Sequence, residues 1–178
     1  MGCAIIGCGK SLPALAVAND DLIQLVDTSD EWITTRTGIK SRRIAVEETN
    51  ADLAEAAARQ AMGLVEGGYC EAPIDSESID LVVYSTCTPD VLVPSCAALV
   101  RRRLGLVNAV AFDVNAACSG FIYAMSVAES MMAASAVGVA GAGRRNKVRR
   151  ALVIGSERLT RITNWEDRTT CVLFGDGG

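Results

Sequence analysis

Between Cys118 and Ala134 only Glu129 carries a charge. A helix apolar on nearly all sides belongs at the centre of a layered domain, packed on every face. It follows the β-rich run Ala109–Val114 after a short turn, Asn115-Ala116-Ala117. The chain is thus expected to bury a strand, turn sharply and enter a central helix near Cys118.

The rest of the chain alternates in the same way. Cys3–Cys8 reads as a strand. Asn19 can cap a short helix through Val26, with Asp20 and Asp21 near its positive end. Ser29 can cap a second, closed by Gly38. Asn50 opens an alanine-rich helix with Leu53, Ala57, Ala61 and Leu64 at helical spacing, stopped by Gly67 and Gly68. Ile79–Thr86 is a strand, and Pro94 suits the first position of a helix through Leu104. The long helix spans Ala117 to Ala136, and Ala151–Gly155 and Cys171–Phe174 are further strands. Alternation of this kind predicts an α/β layered domain with a largely parallel sheet. The stretch 138–150 holds five basic residues and no apolar period, and reads as a surface loop. The ending at Gly175-Asp176-Gly177-Gly178, directly after a predicted strand, reads as a truncation.

With 178 residues, half of them hydrophobic, the chain suits one domain with a real core. A net charge of −4 without a long basic stripe argues against a nucleic-acid binder. No apolar run reaches the roughly 18 residues needed to span a bilayer. The first residues do not make a secretory signal. Gly7-Cys8-Gly9-Lys10-Ser11 fails the Walker pattern at Ala4 and the dinucleotide pattern at Leu12. Seven cysteines without a Cys-x-x-Cys pair argue against a zinc knuckle, and no metal site is expected. The chain has no histidine. It therefore cannot by itself assemble a Ser-His-Asp triad or a Cys-His pair.

Cys118 differs from the other six cysteines in its position at the start of a helix. There a thiol meets unpaired backbone N–H groups and the positive end of the helix dipole, and both favour the reactive thiolate. The small neighbours Ala116, Ala117, Ser119 and Gly120 leave room for a substrate. The residues alone leave Cys118 open between a nucleophile and a small packing residue.

Four motifs, in order along the chain, resemble β-ketoacyl-acyl-carrier-protein synthase III. Asp27-Thr28-Ser29-Asp30-Glu31-Trp32-Ile33 with Thr35-Arg36-Thr37-Gly38-Ile39 resembles that family's coenzyme A entrance. Asn115-Ala116-Ala117-Cys118-Ser119-Gly120-Phe121 resembles its nucleophile motif. Asp167-Arg168-Thr169-Thr170 resembles the Asp-Arg pair at the cofactor mouth, and Leu173-Phe174-Gly175-Asp176-Gly177 the mid-chain glycine turn. The resemblance implies a thiolase-like layered sandwich of which residues 1–178 are one of two duplicated halves, cut before the C-terminal half.

It also implies roles. Cys118 would be acylated by an acyl-CoA primer. Trp32 and Arg168 would sandwich the adenine, Arg36 would meet a CoA phosphate, and Thr28 would add a polar contact. The second substrate would be malonyl-acyl-carrier protein, condensed with help from a histidine and an asparagine of the half not in this chain. No tightly bound cofactor is implied. The family resemblance suggests a homodimer that initiates type II fatty-acid synthesis, in a bacterial cytoplasm or a plastid. A polyketide or quinolone condensing enzyme, and a non-catalytic half of a heteromer, are the alternatives. Val93 stands where acetyl-preferring members carry a bulky aromatic residue, which leaves primer length open.

Overall fold

The computed structural model describes residues 3–137 and 147–178. In chain order the elements are β1 (Gly7–Cys8), β2 (Leu15–Ala18), α1 (Asp30–Thr37), β3 (Ser41–Ile44), α2 (Asn50–Ala61), β4 (Tyr69–Cys70), β5 (Leu81–Ser85), α3 (Cys96–Arg103), β6 (Val110–Val114), α4 (Gly120–Ala136), β7 (Ala151–Gly155), β8 (Glu157–Arg158) and β9 (Asp176–Gly177). The heart of the fold is a parallel sheet in the order β6-β5-β7. Its register sets Ser85 beside both Val114 and Gly155, so the three strands end level with one another.

β5 suits the central position because its first four residues, Leu81–Tyr84, are hydrophobic and all five of its residues are buried. Its side chains alternate between two cores. Val82 and Tyr84 face Ala54 and Ala58 of α2 and Ala97 and Val100 of α3. Leu81 and Val83 face Ala124 and Ala128 of α4. Burying each such valine or leucine contributes about 1.5–3 kcal/mol. The Tyr84 hydroxyl, sealed in the first core, donates to Asn50 Oδ1 at 2.8 Å.

Several helix ends follow their local chemistry. The Ser29 hydroxyl caps α1, and Gly38 closes it at φ 73°, a conformation glycine adopts without a Cβ penalty. Thr49 and Asp52 form a capping box at the start of α2. The carboxylate of Asp113, on β6, accepts from Cys96 N–H at 2.8 Å and Ala97 N–H at 2.7 Å, and so anchors α3 to the sheet.

Other expectations are corrected. The helix from Asn50 ends at Ala61, with Gly63 at φ 68° turning the chain, so Leu64 lies outside it. Helix α3 begins at Cys96 and ends at Arg103, so Pro94, expected as its first residue, lies ahead of the Ser95 cap. Asn19 makes no side-chain cap; its amide donates to Asp30 and to Ile39 O, and its carbonyl accepts from buried Arg42. Cys171–Phe174 is a turn, and the terminal pairing belongs to β8 with β9. Of Cys3–Cys8 only Gly7 and Cys8 pair, with β4. Of the basic stretch 138–150, residues 138–146 lie outside the described residues.

Helix α4 is only partly covered, as the resemblance to one half of a duplicated sandwich implies. It is buried along one stripe, Gly120, Ala124, Ala128 and Ser135. Phe121, Ile122, Tyr123 and Met125 on its other sides stand exposed. Among the described residues the apolar helix is covered on the face against the sheet.

Candidate active site

Three connections leave the carboxyl edge of the sheet together: Thr86–Thr88 after β5, Asn115–Ser119 after β6, and Ser156–Glu157 after β7. In open α/β sheets ligands gather at this edge. Cys118 sits here, exposed, on a single 3₁₀ turn, Ala117–Ser119, that leads directly into α4.

The turn is strained and tightly seated. Ala117 has φ 47°, the left-handed region, which costs a residue with a Cβ about 1–2 kcal/mol. Strain of this kind persists where surrounding contacts over-determine the backbone. Here Gly120 supplies such a contact, because a Cβ at that position would lie 2.1 Å from Ser85 Oγ. Absence of a side chain lets α4 rest directly on the end of β5 and fixes where Cys118 stands. The 3₁₀ turn also consumes two of the amides expected to be free. Ser119 N–H donates to Ala116 O at 3.2 Å, and Gly120 N–H donates to Ala117 O.

Glu157 organises the neighbouring connection. Its carboxylate accepts from the Thr86 hydroxyl at 3.0 Å, Cys87 N–H at 2.7 Å, Thr88 N–H at 3.0 Å and the Thr88 hydroxyl. Burial, then the Glu157 carboxylate, push the Cys87 thiol above its ordinary pKa. Sequence reasoning missed this residue, since nothing local distinguishes a glutamate two positions past a strand. Cys96 and Cys171 are fully buried in apolar clusters, and burial pushes Cys96 up to about 11.

The residues predicted for coenzyme A form a second cluster on α1 and the segment after β8. The guanidinium of Arg36 lies 4.3 Å from the centre of the Trp32 ring, and that of Arg168 lies 5.1 Å from it. Arg168 is held there by Asp27, donating to its backbone O at 2.9 Å and to Oδ2 at 3.4 Å. Arg36 donates to Trp32 O at 3.1 Å. The Thr28 hydroxyl is buried with no hydrogen-bond partner. Leu22, Ile33, Cys171 and Val172 support this cluster from beneath, with Trp32 packed against them. Two stacked contacts of roughly 3.5 Å each need about 7 Å. The 5.1 Å between Trp32 and Arg168 is therefore a closed arrangement, and a flat ring enters only if Arg168 swings outward.

A cavity of about 420 Å³ lies apart from Cys118, lined by Val17, Leu22, Thr160 and Trp165 among others. Among the described residues no group of three metal-ligating side chains converges, and no helix is long and apolar enough to cross a membrane.

The parallel sheet, its flanking helices and the cysteine turn at its carboxyl edge define one half of the thiolase-like layered α/β fold. A crystal structure of 3-oxoacyl-[acyl-carrier-protein] synthase III from Aquifex aeolicus matches it with a TM-score of 0.87 at 47% identity, covering 99% of this chain and 51% of that one. The priming β-ketosynthase of the R1128 polyketide pathway matches with a TM-score of 0.83 at 37% identity, covering 97% and 47%. The family model described as 3-oxoacyl-[acyl-carrier-protein] synthase III matches residues 112–178. A β-ketoacyl-[acyl-carrier-protein] synthase III of Rhodospirillum centenum is 49% identical over 174 residues, 97% of this chain and 48% of the relative. Over nearly its whole length the chain is similar to β-ketoacyl-[acyl-carrier-protein] synthase III proteins, and it spans about half the length of the curated relatives it matches.

Proposed function

We propose that the protein carrying this chain is a condensing enzyme that primes fatty-acid synthesis. The Cys118 thiolate attacks the carbonyl carbon of an acyl-CoA, and the tetrahedral oxyanion collapses to expel the CoA thiolate. The acyl group is then held as a thioester on Cys118. Malonyl-acyl-carrier protein next loses carbon dioxide, and its carbanion attacks that thioester. A carbon–carbon bond forms and the Cys118 thiolate leaves. This chain has no histidine, so the second step draws on groups outside these 178 residues.

What carries the reading is an exposed thiol on a strained turn at the carboxyl edge of a parallel sheet, in a chain similar to these synthase III proteins. Trp32 and Arg168 would take the adenine between them, Arg36 a phosphate, and the unpartnered Thr28 hydroxyl a polar group of the same ligand. No tightly bound cofactor enters the scheme. The exposed Leu92 and Val93 ahead of α3 suit a homodimer contact, and the bacterial relatives favour a cytoplasmic setting over a plastid. The match to a polyketide priming enzyme favours, as a second reading, a related condensing enzyme with a different primer.

Incubation of the full protein with acetyl-CoA, followed by peptide mass spectrometry, tests the assignment. An acetyl adduct on Cys118 is expected, and an adduct on any other cysteine overturns it. A series of acyl-CoA primers distinguishes the two readings.

A further inference from the structure

Two thiols stand at the carboxyl edge of the sheet, and the acyl transfer proposed above uses one. Cys87 lies two residues past Ser85 and Cys118 four past Val114, and those two strand ends are paired in register. The connections are tied together. Thr86 N–H donates to Val114 O at 3.2 Å, and Gly120, just after Cys118, lies directly against Ser85.

Cys87 is not a packing residue. Cys96 and Cys171 belong to apolar clusters, whereas Cys87 is half-buried and belongs to none of the three described. Its neighbours are Thr86, Thr88 and the Glu157 carboxylate, which accepts its N–H at 2.7 Å. The charge of Cys118 is among the smaller influences felt at its thiol. Packing in an apolar cluster therefore does not account for Cys87. Its chemistry is the property left to explain.

From this juxtaposition we infer that Cys87 is a resolving thiol for Cys118, capturing it as a disulfide when a peroxide oxidises it. The inference rests on the reading of Cys118 as the reactive thiol. A sulfur open to a bulky thioester is equally open to peroxide, and oxidation past the sulfenic acid is irreversible in most settings. In the first step the Cys118 thiolate attacks the peroxide. A sulfur–oxygen bond forms, the oxygen–oxygen bond breaks, and hydroxide or alkoxide departs. In the second, the Cys87 proton passes to the Glu157 carboxylate while its sulfur attacks the Cys118 sulfur. The sulfur–sulfur bond forms, the sulfur–oxygen bond breaks, and the departing hydroxide takes the proton as water. A dithiol reductant returns both thiols by exchange.

A disulfide needs α-carbons about 4.4–6.8 Å apart. Cys87 lies on a loop and Cys118 on one 3₁₀ turn, each within four residues of a strand end paired with the other.

The test treats the full protein with hydrogen peroxide and maps its peptides without reduction. A Cys87–Cys118 crosslink is expected, together with a loss of acylation that dithiothreitol restores. In Cys87→Ser the crosslink is absent, dimedone traps Cys118 as its sulfenic acid, and the peroxide-induced loss becomes irreversible several-fold faster. Progression of wild-type Cys118 to the sulfinic acid without a crosslink, or a crosslink to another cysteine, overturns the inference. The wild-type map decides this even if the variant fails to fold. Acetyl-CoA labelling of Cys118 without a crosslink removes this inference and leaves the acyl-transfer reading intact. A crosslink without acetyl labelling does the reverse.

Discussion

Replacing Gly120 with alanine tests the contact that seats the nucleophile turn. The new Cβ would lie 2.1 Å from Ser85 Oγ and 3.3 Å from Ser85 Cβ. Rotating the Ser85 hydroxyl relieves the first approach within a site where Ser85 is only 5% exposed. The second approach remains, because Ser85 Cβ is fixed by the sheet. Overpacking of this kind costs about 1–3 kcal/mol. Alanine's better helix propensity returns at most about 1 kcal/mol at the first turn of α4. The net expectation is a destabilisation of about 1–2 kcal/mol in urea unfolding of the full protein. A several-fold slower acetylation of Cys118 should accompany it, because the turn must lift. Ser85→Ala deletes the closest atom, so in the double variant G120A/S85A about 1 kcal/mol of the loss should return. If G120A is as stable and as quickly acetylated as wild type, or if S85A rescues nothing, the turn is not seated as described.

Two further outcomes follow from the site. Arg168→Ala removes one wall of the proposed adenine slot, worth about 0.5–1 kcal/mol for an exposed cation–aromatic contact. The KM for acyl-CoA should therefore rise two- to fivefold with kcat nearly unchanged, and a fall in kcat alone would contradict the assigned role. Cys96, pushed up to about 11 by burial, holds only about one thiolate in a thousand at pH 8. Iodoacetamide at that pH should leave Cys96 unmodified in the native protein while labelling exposed Cys118, and become competent for Cys96 only on unfolding or as pH rises toward 11.

How far a feature could be read in advance depended on the range of the interactions behind it. Helix α1 was legible from Ser29 to Gly38, because both ends are closed by groups within a few residues. Strand β7 was legible to the residue, bounded by basic residues on one side and glycine on the other. The end of α2 is not legible locally, since Ala-rich spacing continues to Leu64 while Gly63 has already turned the chain. Cys171–Phe174 reads as a strand because it is apolar. It instead packs Cys171 and Val172 under Trp32 as a turn, with Val172 O accepting from Arg42 at 3.2 Å. Apolar character reports burial, and burial does not require a strand.

The order of residues by itself determined the α/β alternation, the strand within Ile79–Thr86, and the cysteine between a strand and a helix, all of which follow from period and local turn chemistry. Only the tertiary structure decided what meets at that cysteine: the strained Ala117, the close rest of Gly120 on Ser85, and Cys87 beside Glu157. Those partners lie tens of residues apart along the chain, and pairing of the parallel strands in register brings them to one edge.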